Sequence, residues 1–145
     1  MTSTAISAQG SKFFINTAAD GAAQPTWTKV KNVKSYSGFD GSATEIDVTD
    51  LDSEAKEKRL GLMDNGSFSI EVNVNMADPG QAAMKAAQRA SSLKSFKLEY
   101  PDGSADTFDA SVKSFPISGS TDAVITSTIS LTISGAVTTV PAGGN

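Results

Sequence analysis

The sequence predicts a mainly β protein with one flanking α-helix, folded as an antiparallel β-sandwich or small barrel. Three observations predict this class. Ser67 to Met76 alternate strictly between polar and apolar side chains, as a strand does when one face covers a core. Two more alternating segments, Lys94 to Tyr100 and Ala123 to Ile133, stand among turn-forming residues. Only one segment, which begins at Asp78, has helical periodicity.

The composition is that of one globular domain. The chain has 145 residues, of which 39% are hydrophobic and 19% are charged. This length is sufficient for a real core, and one domain is the default at this size. No apolar run approaches the ~20 residues that a membrane-spanning helix needs. We therefore expect no contact with a membrane.

The absence of histidine and cysteine excludes most catalytic and metal sites. Ser/His/Asp and Cys/His catalysis, disulfides and ordinary zinc sites all need one of these residues. We expect no enzyme, no metal and no cofactor; a carboxylate enzyme using Asp47, Asp50 or Asp52 is the alternative. The formal net charge is −4, which works against binding nucleic acid by counterion release.

Two strands are predicted before the charged part of the chain. The first contains Lys12 to Asn16, and the second runs from Thr26 to about Tyr36. Lysines in the second strand are typical of a protected strand edge. The alternative is that single-stranded nucleic acid binds here, with its bases stacked on two aromatic rings that lie among these lysines. The lysines are Lys29, Lys31 and Lys34, and the rings are Trp27 and Tyr36.

The next segment organises the chain. A short strand, Thr44 to Thr49, leads into a densely charged loop that we place at about Asp50 to Gly66. The loop is too polar to be core and too long to be an ordinary turn, and such segments are usually functional. Acidic residues come first and basic residues follow, which suits pairing between identical copies. Apolar residues at its end also indicate a contact; they are Leu60, Leu62 and Met63.

The helix has clear start signals. Asp78 is at the N-cap, Pro79 is at the first helical position and Gln81 is at the third. An apolar stripe at helical spacing predicts which face packs on the sheet; it contains Ala83, Ala86, Ala87, Ala90 and Leu93. The predicted polar face contains Gln81, Lys85, Gln88, Arg89 and Ser92.

Three strands then form a meander. They are Lys94 to Tyr100, Asp106 to Phe115 and Ala123 to Ile133, separated by Pro and Gly turns. In the last strand we expect Ala123, Ile125, Ile129, Leu131 and Ile133 to face the core. The end of the chain from Val140 has the composition of a loose tail.

Three motifs, in order, resemble those of the major tail tube proteins of long-tailed, non-contractile bacteriophages. The first is Glu45 to Ser53, which reads EIDVTDLDS. The second is Gly61 to Ile70, where a GLMDNG turn leads into the long strand, and the third is Asp78 to Ala83. The resemblance runs from about Trp27 to Val137. Some relatives carry an added immunoglobulin-like domain, and we expect none in this chain.

The resemblance implies a structural virion protein with the tail tube fold. Such proteins form hexameric rings that stack helically into a hollow tube, through which genomic DNA passes into the host without specific binding. The implied partners are other copies of the chain, the tape measure protein, the tail tip and the tail terminator. The implied location is the phage tail, and the host cytoplasm during assembly. The implied domain is residues 1–145, with residues 1–5 and 138–145 as flexible termini or contacts between subunits.

The resemblance also assigns two sets of site residues. The charged loop would reach a neighbouring subunit or ring through Asp50, Asp52, Glu54, Lys56, Glu57, Lys58, Arg59, Leu60, Leu62, Met63 and Asp64. The polar strand faces, rich in Ser, Thr and Asn, would line the lumen. The lumen-facing residues would be Ser67, Ser69, Glu71, Asn73, Asn75, Thr126, Thr128, Ser130 and Thr132.

A monomeric β-sandwich that binds carbohydrate is the alternative function. Such a module needs a platform of exposed aromatic rings. The candidates are Trp27, Tyr36 and Tyr100, and they fall on separate predicted strands.

Overall fold

The computed structural model describes residues 9–18 and 23–141. Within these residues the chain forms ten strands and one helix. The first five strands are β1 (Lys12–Asn16), β2 (Trp27–Val30), β3 (Val33–Gly38), β4 (Ser42–Asp47) and β5 (Lys58–Asp64). The others are β6 (Ser67–Asn73), β7 (Leu93–Glu99), β8 (Ala105–Ser114), β9 (Ser118–Ser120) and β10 (Ala123–Val140), and the helix α1 is Pro79–Ala90. The predicted fold class is confirmed.

Eight strands form one antiparallel sheet whose two edges are adjacent in the chain. The order is β2-β1-β7-β8-β10-β6-β3, and β9 pairs with the first part of β10. Only Lys31 and Asn32 separate the edge strands β2 and β3. Asn32 has a φ of 63°, a left-handed value that asparagine tolerates. It divides the single strand predicted from Thr26 to Tyr36 into two, and the sheet curls until its edges meet at this corner.

The inner face of the curled sheet holds one apolar core. Phenylalanine rings from four different strands pack together at its centre, in stacked or tilted pairs with centroids 5.4 to 5.8 Å apart. These rings belong to Phe13, Phe68, Phe96 and Phe108. The predicted alternation in β6 is confirmed where the strand crosses this core, because Phe68, Ile70 and Val72 are buried.

Three residues that were predicted to face the core are exposed instead. Met76 lies beyond the end of β6, and Ala123 and Ile125 lie in the part of β10 that precedes the core. The core positions of β10 begin at Ser127 and continue through Ile129, Leu131 and Ile133. Alternation identifies the side of a strand but not how far the body extends over it. The prediction was therefore wrong at these two strand ends.

The helix begins as predicted, but its packed face only partly coincides with the predicted one. The Asp78 side chain accepts a hydrogen bond from the backbone amide of Gln81 at 3.1 Å, which confirms the N-cap. The buried positions are Gly80, Gln81, Met84 and Ala87. In the predicted stripe Ala87 is buried and Ala83 is half-buried, whereas Ala86, Ala90 and Leu93 are exposed. Gly80 brings the first turn against the backbone of β2, and this contact rotates the packed face towards Gln81 and Met84.

The charged segment is a β-hairpin rather than a long loop. β4 and β5 pair only with each other, in a separate two-stranded sheet. The predicted loop from Asp50 to Gly66 is therefore too long, because Lys58 to Asp64 form a strand. The strand was not predicted because the segment is highly polar, and it is polar because both faces of the hairpin are exposed to solvent. We call residues 42–64 the arm.

The last strand extends further than predicted. β10 continues to Val140, and Thr138 to Val140 pair with Thr107 to Ala105 of β8. Residues 138–140 are thus part of the sheet. The segments 1–5 and 142–145 lie outside the described residues.

Candidate assembly surfaces

The arm extends from the body without cover. Each of its residues that was predicted to contact another copy is exposed, from Asp50 to Asp64. The apolar ones are included: Leu60 is 71% exposed and Leu62 is 97% exposed. Ile46, Val48 and Leu51, which the prediction did not include, are exposed as well. Water-exposed apolar groups in such density mark a surface for association.

Hydrogen bonds within the arm give its tip a fixed shape. The Thr49 hydroxyl donates to the carbonyl oxygen of Glu57 at 3.2 Å and accepts from the Glu57 amide at 2.8 Å. The Ser53 hydroxyl donates to the Glu57 carboxylate at 2.7 Å. Thr49 also donates to Asp47, and its side-chain and backbone hydrogen bonds lower the pKa of that carboxyl. The arm is therefore shaped before it meets any partner.

Four of the ten charged side chains on the arm have no partner within the described part of the chain. Lys58 pairs with Glu45 at 3.1 Å, an exposed ion pair that contributes little to stability. Within the described part of the chain, no hydrogen bond or ion pair engages the side chains of four other predicted contact residues. These are Asp52, Glu54, Lys56 and Arg59. They are available to a second molecule.

The base of the arm is anchored firmly to the body. The Asp40 carboxylate accepts from the Ser67 amide at 3.0 Å, and the Asn65 side chain donates to the carbonyl oxygen of Gly135 at 2.7 Å. The backbone segments that enter and leave the arm lie so close together that a Cβ on Gly41 would lie 1.6 Å from the Asp64 carbonyl oxygen. Gly66 has a φ of 76° at the same crossing. Sequence analysis identified the turn at Gly66 but not the anchors, because Asp40 and Gly135 meet it only in the folded chain.

The residues predicted to line a lumen form a continuous polar face. In the β6–β10 register, Ser67 pairs with Thr132 and Ser69 with Ser130. Glu71 pairs with Thr128, and Asn73 with Thr126. Directly paired residues share one face of a sheet, so the structure brings the two predicted sets together. Asn75 does not belong to this face, because it lies beyond β6. Its backbone amide donates to the side-chain oxygen of Gln81 at 2.8 Å.

This polar face is almost without net charge. Its one carboxylate in the β6–β10 register, Glu71, pairs with Lys34 of β3 at 3.3 Å. Ser35 and Ser37 of β3, opposite Glu71 and Ser69, extend the same face to the sheet edge. The prediction did not include them, because a register irregularity between Val33 and Ser35 shifts the alternation of that strand.

Two of the three carboxylates considered for catalysis accept hydrogen bonds from the backbone. Asp47 accepts from the Thr49 amide at 2.9 Å, and Asp50 accepts from the Asp52 amide at 3.0 Å. All three acidic residues lie on the exposed arm. Among residues 9–18 and 23–141 there is no cluster of metal-ligating side chains. In the same residues, no helix has the length and hydropathy to span a membrane.

The aromatic rings considered for carbohydrate binding do not form a platform. Trp27, Tyr36 and Tyr100 are each half-buried, and they belong to different strands or turns. The Tyr36 hydroxyl is hydrogen-bonded to Ser11 at 2.9 Å, and the Tyr100 hydroxyl donates to Asp106 at 2.5 Å. Their polar ends are occupied inside the body, which does not favour a sugar-binding module.

A family model described as lambda phage tail tube protein matches residues 13–140. No curated protein matches the chain. Three solved structures have the same fold. The tail of a gene transfer agent (GTA) particle has a TM-score of 0.68 at 18% identity, covering 89% of this chain and 96% of that one. The SPP1 tail tube has a TM-score of 0.70 at 15% identity, covering 93% of this chain and 78% of that one. A chain from the structure of an extracellular contractile injection system, PVC sheath/tube terminator in the extended state, has a TM-score of 0.66 at 13% identity, covering 97% of this chain and 100% of that one.

Proposed function

Because the chain belongs to the lambda phage tail tube protein family, it is a structural protein of the virion tail tube, and we propose that six copies form each ring of that tube. The number six is supported by the similar gene transfer agent tail, which has C6 symmetry. The rings stack into a hollow tube, and phage DNA passes through it into the host.

The observation that carries this proposal is the arm, which is fixed at its base and unpartnered along its length. An isolated two-stranded hairpin is at most marginally stable in water. A hairpin with exposed Leu60, Leu62 and Met63 is expected to gain stability when a neighbouring copy buries those side chains. The arm residues proposed as contacts are Asp50, Asp52, Glu54, Lys56, Glu57, Lys58, Arg59, Leu60, Leu62, Met63 and Asp64.

The ion pairs of the arm contribute through repetition. One exposed pair is worth ~0–1 kcal/mol. A residue such as Arg59 makes the same contact in every copy, so the small contribution of one ion pair is repeated many times along a tube. The apolar residues supply more free energy per side chain, at roughly 25 cal/mol for each Å² of apolar surface buried.

The polar face of β6 and β10 is proposed to line the lumen. A DNA channel must avoid strong phosphate contacts, because each lysine or arginine adds one and slows passage. Ser, Thr and Asn side chains with a single neutralised carboxylate meet that requirement. The proposed lining is Ser67, Ser69, Glu71, Asn73, Thr126, Thr128, Ser130 and Thr132, to which Ser35 and Ser37 are added.

The open edges of the sheet provide the contact within a ring. β2 and β3 each have one edge that pairs with no strand among the described residues. An exposed edge is usually a liability, but in a ring it allows strand addition between neighbours. We assign no catalytic activity to the protein, and the carbohydrate-binding alternative has no supporting observation.

Several further partners follow from a place in the tail. A similar structure is a tube terminator and another is a tube-terminating cap. We propose that this chain meets a terminator at one end of the tube, a tail tip at the other and a tape measure protein inside. Assembly takes place in the host cytoplasm, and the whole chain acts as one tail tube domain.

Electron microscopy of the purified protein, alone and with a tail-tip initiator, tests the proposal. We expect rings or hollow tubes with six-fold symmetry in end view. A protein that stays monomeric in both conditions would contradict a tube-forming role. Rings with another symmetry would contradict the subunit number alone.

A further inference from the structure

One asparagine of the chain is followed by glycine, and it lies where the arm joins the body. Asn65 and Gly66 connect β5, the second strand of the arm, to β6 of the large sheet. We call these two residues the junction. The other asparagines of the described residues precede residues that carry side chains; they are Asn16, Asn32, Asn73 and Asn75. Glycine has no side chain, so its backbone nitrogen can approach the carboxamide of a preceding asparagine without obstruction.

The reaction open to such a pair is deamidation through a cyclic imide. The backbone nitrogen of Gly66 loses its proton and forms a bond to the side-chain carbonyl carbon of Asn65. The bond from that carbon to Nδ2 breaks, and Nδ2 leaves with the proton as ammonia. Water then opens the ring at either of its two carbonyl carbons, which gives an aspartate or an isoaspartate. Water is the only other reactant, and the chain gains one mass unit.

In the folded chain both reacting groups of the junction are engaged elsewhere. The Gly66 amide donates to the Asp64 carboxylate at 2.8 Å, and the Asn65 side-chain nitrogen donates to the Gly135 carbonyl oxygen at 2.7 Å. Removing the amide proton would place a negative nitrogen beside the Asp64 carboxylate, which like-charge repulsion disfavours. The bond to Gly135 holds the Asn65 carboxamide against β10, whereas the reaction needs it over the Gly66 nitrogen. Both hydrogen bonds must break before the ring can close.

The backbone around the reacting nitrogen is fixed as well. The Gly66 carbonyl oxygen accepts from the Ile133 amide at 3.1 Å, and the Ser67 amide donates to the Asp40 carboxylate at 3.0 Å. A Cβ on Gly66 would lie 2.4 Å from Asp40 Oδ1, so this glycine is closely packed. Ring closure requires the backbone to rotate, which these contacts resist. The contacts that anchor the arm therefore also oppose the reaction, and it proceeds only through local opening.

We propose that Asn65 is a deamidation site, which the folded junction keeps latent and which reacts when the base of the arm detaches from the body. The product cannot restore the anchor, because an aspartate has no N–H group to donate to the Gly135 carbonyl oxygen. Its negative charge also lies beside Asp40 and Asp64. An isoaspartate adds an atom to the backbone where Gly41 has no room for a Cβ. One reaction therefore loosens the arm permanently. The inference concerns the single chain and does not depend on the tube function.

Peptide mass spectrometry of aged protein tests the site. The unassembled chain is incubated at mildly alkaline pH, in buffer and in guanidinium chloride at a concentration that unfolds it, and is then digested with trypsin. Cleavage after Arg59 and Lys85 gives one peptide that contains Asn65 together with Asn73 and Asn75, which serve as internal controls. Fragmentation assigns the added mass to one of the three asparagines. Isomerisation of Asp–Gly pairs leaves the mass unchanged and does not interfere.

We expect Asn65 to gain the mass unit at least tenfold faster in the unfolded chain than in the folded one. In the unfolded chain it should also react faster than Asn73 and Asn75. Equal rates at Asn65 in buffer and in guanidinium chloride overturn the protection by the junction. A rate at Asn65 no higher than at the other two asparagines in the unfolded chain overturns the choice of site. Neither outcome bears on tube formation, which electron microscopy tests separately.

The Asp64→Ala variant tests the restraint on the Gly66 amide. The matched control is Glu54→Ala, which removes another carboxylate of the arm. Each rate in buffer is divided by the rate of the same variant in guanidinium chloride, so that intrinsic effects of sequence cancel. We expect this ratio to rise at least fivefold in Asp64→Ala and to stay within twofold of the wild type in Glu54→Ala. Equal ratios in the two variants overturn the role of Asp64. Melting temperatures are measured first, and Asp64→Ser replaces Asp64→Ala if the latter is unfolded.

The consequence of the modification is tested by placing its product in the chain. Asn65→Asp makes the same chemical change as deamidation. Asn75→Asp is the matched control, because the exposed Asn75 side chain uses its oxygen, which an aspartate retains, to accept from the Ala77 amide. We expect the Gly66 and Ser67 amides to exchange with deuterium at least fivefold faster in Asn65→Asp and within twofold of the wild type in Asn75→Asp. Unchanged exchange of these amides in Asn65→Asp overturns the claim that the modification loosens the arm.

Discussion

The side-chain amide of Gln81 donates a hydrogen bond to the backbone carbonyl oxygen of Lys31 at 2.8 Å, although the two residues are 50 apart in sequence. The same nitrogen donates to the Asn73 carbonyl oxygen at 3.0 Å, and the side-chain oxygen accepts from the Asn75 amide at 2.8 Å. Gln81 is fully buried. It thereby joins the helix, the β2–β3 corner and the end of β6.

Replacing Gln81 is expected to cost more than any other polar substitution on the helix. Gln81→Ala leaves three backbone groups without partners, each of which costs about 1–3 kcal/mol when buried. We predict a loss of roughly 3 kcal/mol in the free energy of unfolding, measured with urea. The matched control, Gln88→Ala, changes a half-exposed glutamine of the same helix. Similar losses in both variants would show that the buried network is not stabilising.

Gly80 is predicted to tolerate no side chain. A Cβ at this position would lie 2.3 Å from the Lys29 carbonyl oxygen and 2.6 Å from the Val30 Cα. Both are backbone atoms, so the helix must shift, and Gly80→Ala is expected to cost ~2 kcal/mol or more. Gly119→Ala is the control, because its nearest neighbour would be the Ile125 side chain at 3.4 Å. Equal unfolding midpoints for the two variants would contradict this close approach.

The helix shows what sequence analysis can and cannot provide. Its start follows from Asp78 and Pro79, because capping depends on neighbours within one turn. The burial of Gln81 depends on Lys31 and Asn73, which are distant in sequence and meet it only in the fold. A polar residue with a complete set of buried partners looks, in the sequence, like a solvent-facing one. The existence of the helix was therefore predictable, whereas only part of its packed face was.

Removing the apolar side chains of the arm is predicted to separate folding from assembly. Leu60→Ser, Leu62→Ser and Met63→Ser together change only side chains that are exposed in the single chain. We expect the melting temperature of the monomer to stay within about 2 °C of the wild type, since surface substitutions are usually near neutral. Tubes should be absent by electron microscopy. Leu93→Ser, an exposed apolar residue on β7, is the control and should still assemble.

Lysine on the proposed lumen face is predicted to slow DNA passage without preventing assembly. Thr128→Lys places a cation on an exposed position of β10, opposite Glu71. Six such cations per ring would add contacts to DNA phosphates and slow its passage. This slowing should decrease as the salt concentration rises. The measurement is the rate of DNA ejection from particles carrying the variant, at two salt concentrations. Ala82→Lys, on the outer side of α1, should leave the rate unchanged; a similar slowing there would contradict the lumen assignment.

Tyr100 is predicted to make stability sensitive to alkaline pH. Burial, and then the hydrogen bond to Asp106, raise the pKa of the Tyr100 hydroxyl above its usual value of about 10. The folded chain holds this proton more tightly than the unfolded chain does. Its contribution to stability is therefore complete below pH ~10 and is lost as the pH rises above that value. Tyr100→Phe should flatten the fall in urea midpoint between pH 9.5 and roughly 11.5; an unchanged slope would contradict the assignment.

Two sets of exposed apolar side chains differ in how far the sequence revealed them. The arm was visible because Leu60 and Leu62 stand beside a run of charges that no core could hold. The exposure of Ile125 was not, because this residue continues the alternation of a core strand. Only the fold shows that β8 does not extend over that part of β10. Exposed apolar strand ends are therefore the feature that required the structure.

The most direct test of the account is hydrogen–deuterium exchange of the arm peptides in the monomer and in assembled tubes. If copies of the chain complete one another through the arm, the amides of residues 42–64 should exchange at least tenfold more slowly in tubes than in monomer. Peptides from the core strand β7 should exchange at similar rates in both. Arm amides that exchange equally fast in tubes and in monomer would contradict the claim that the arm holds neighbouring copies together.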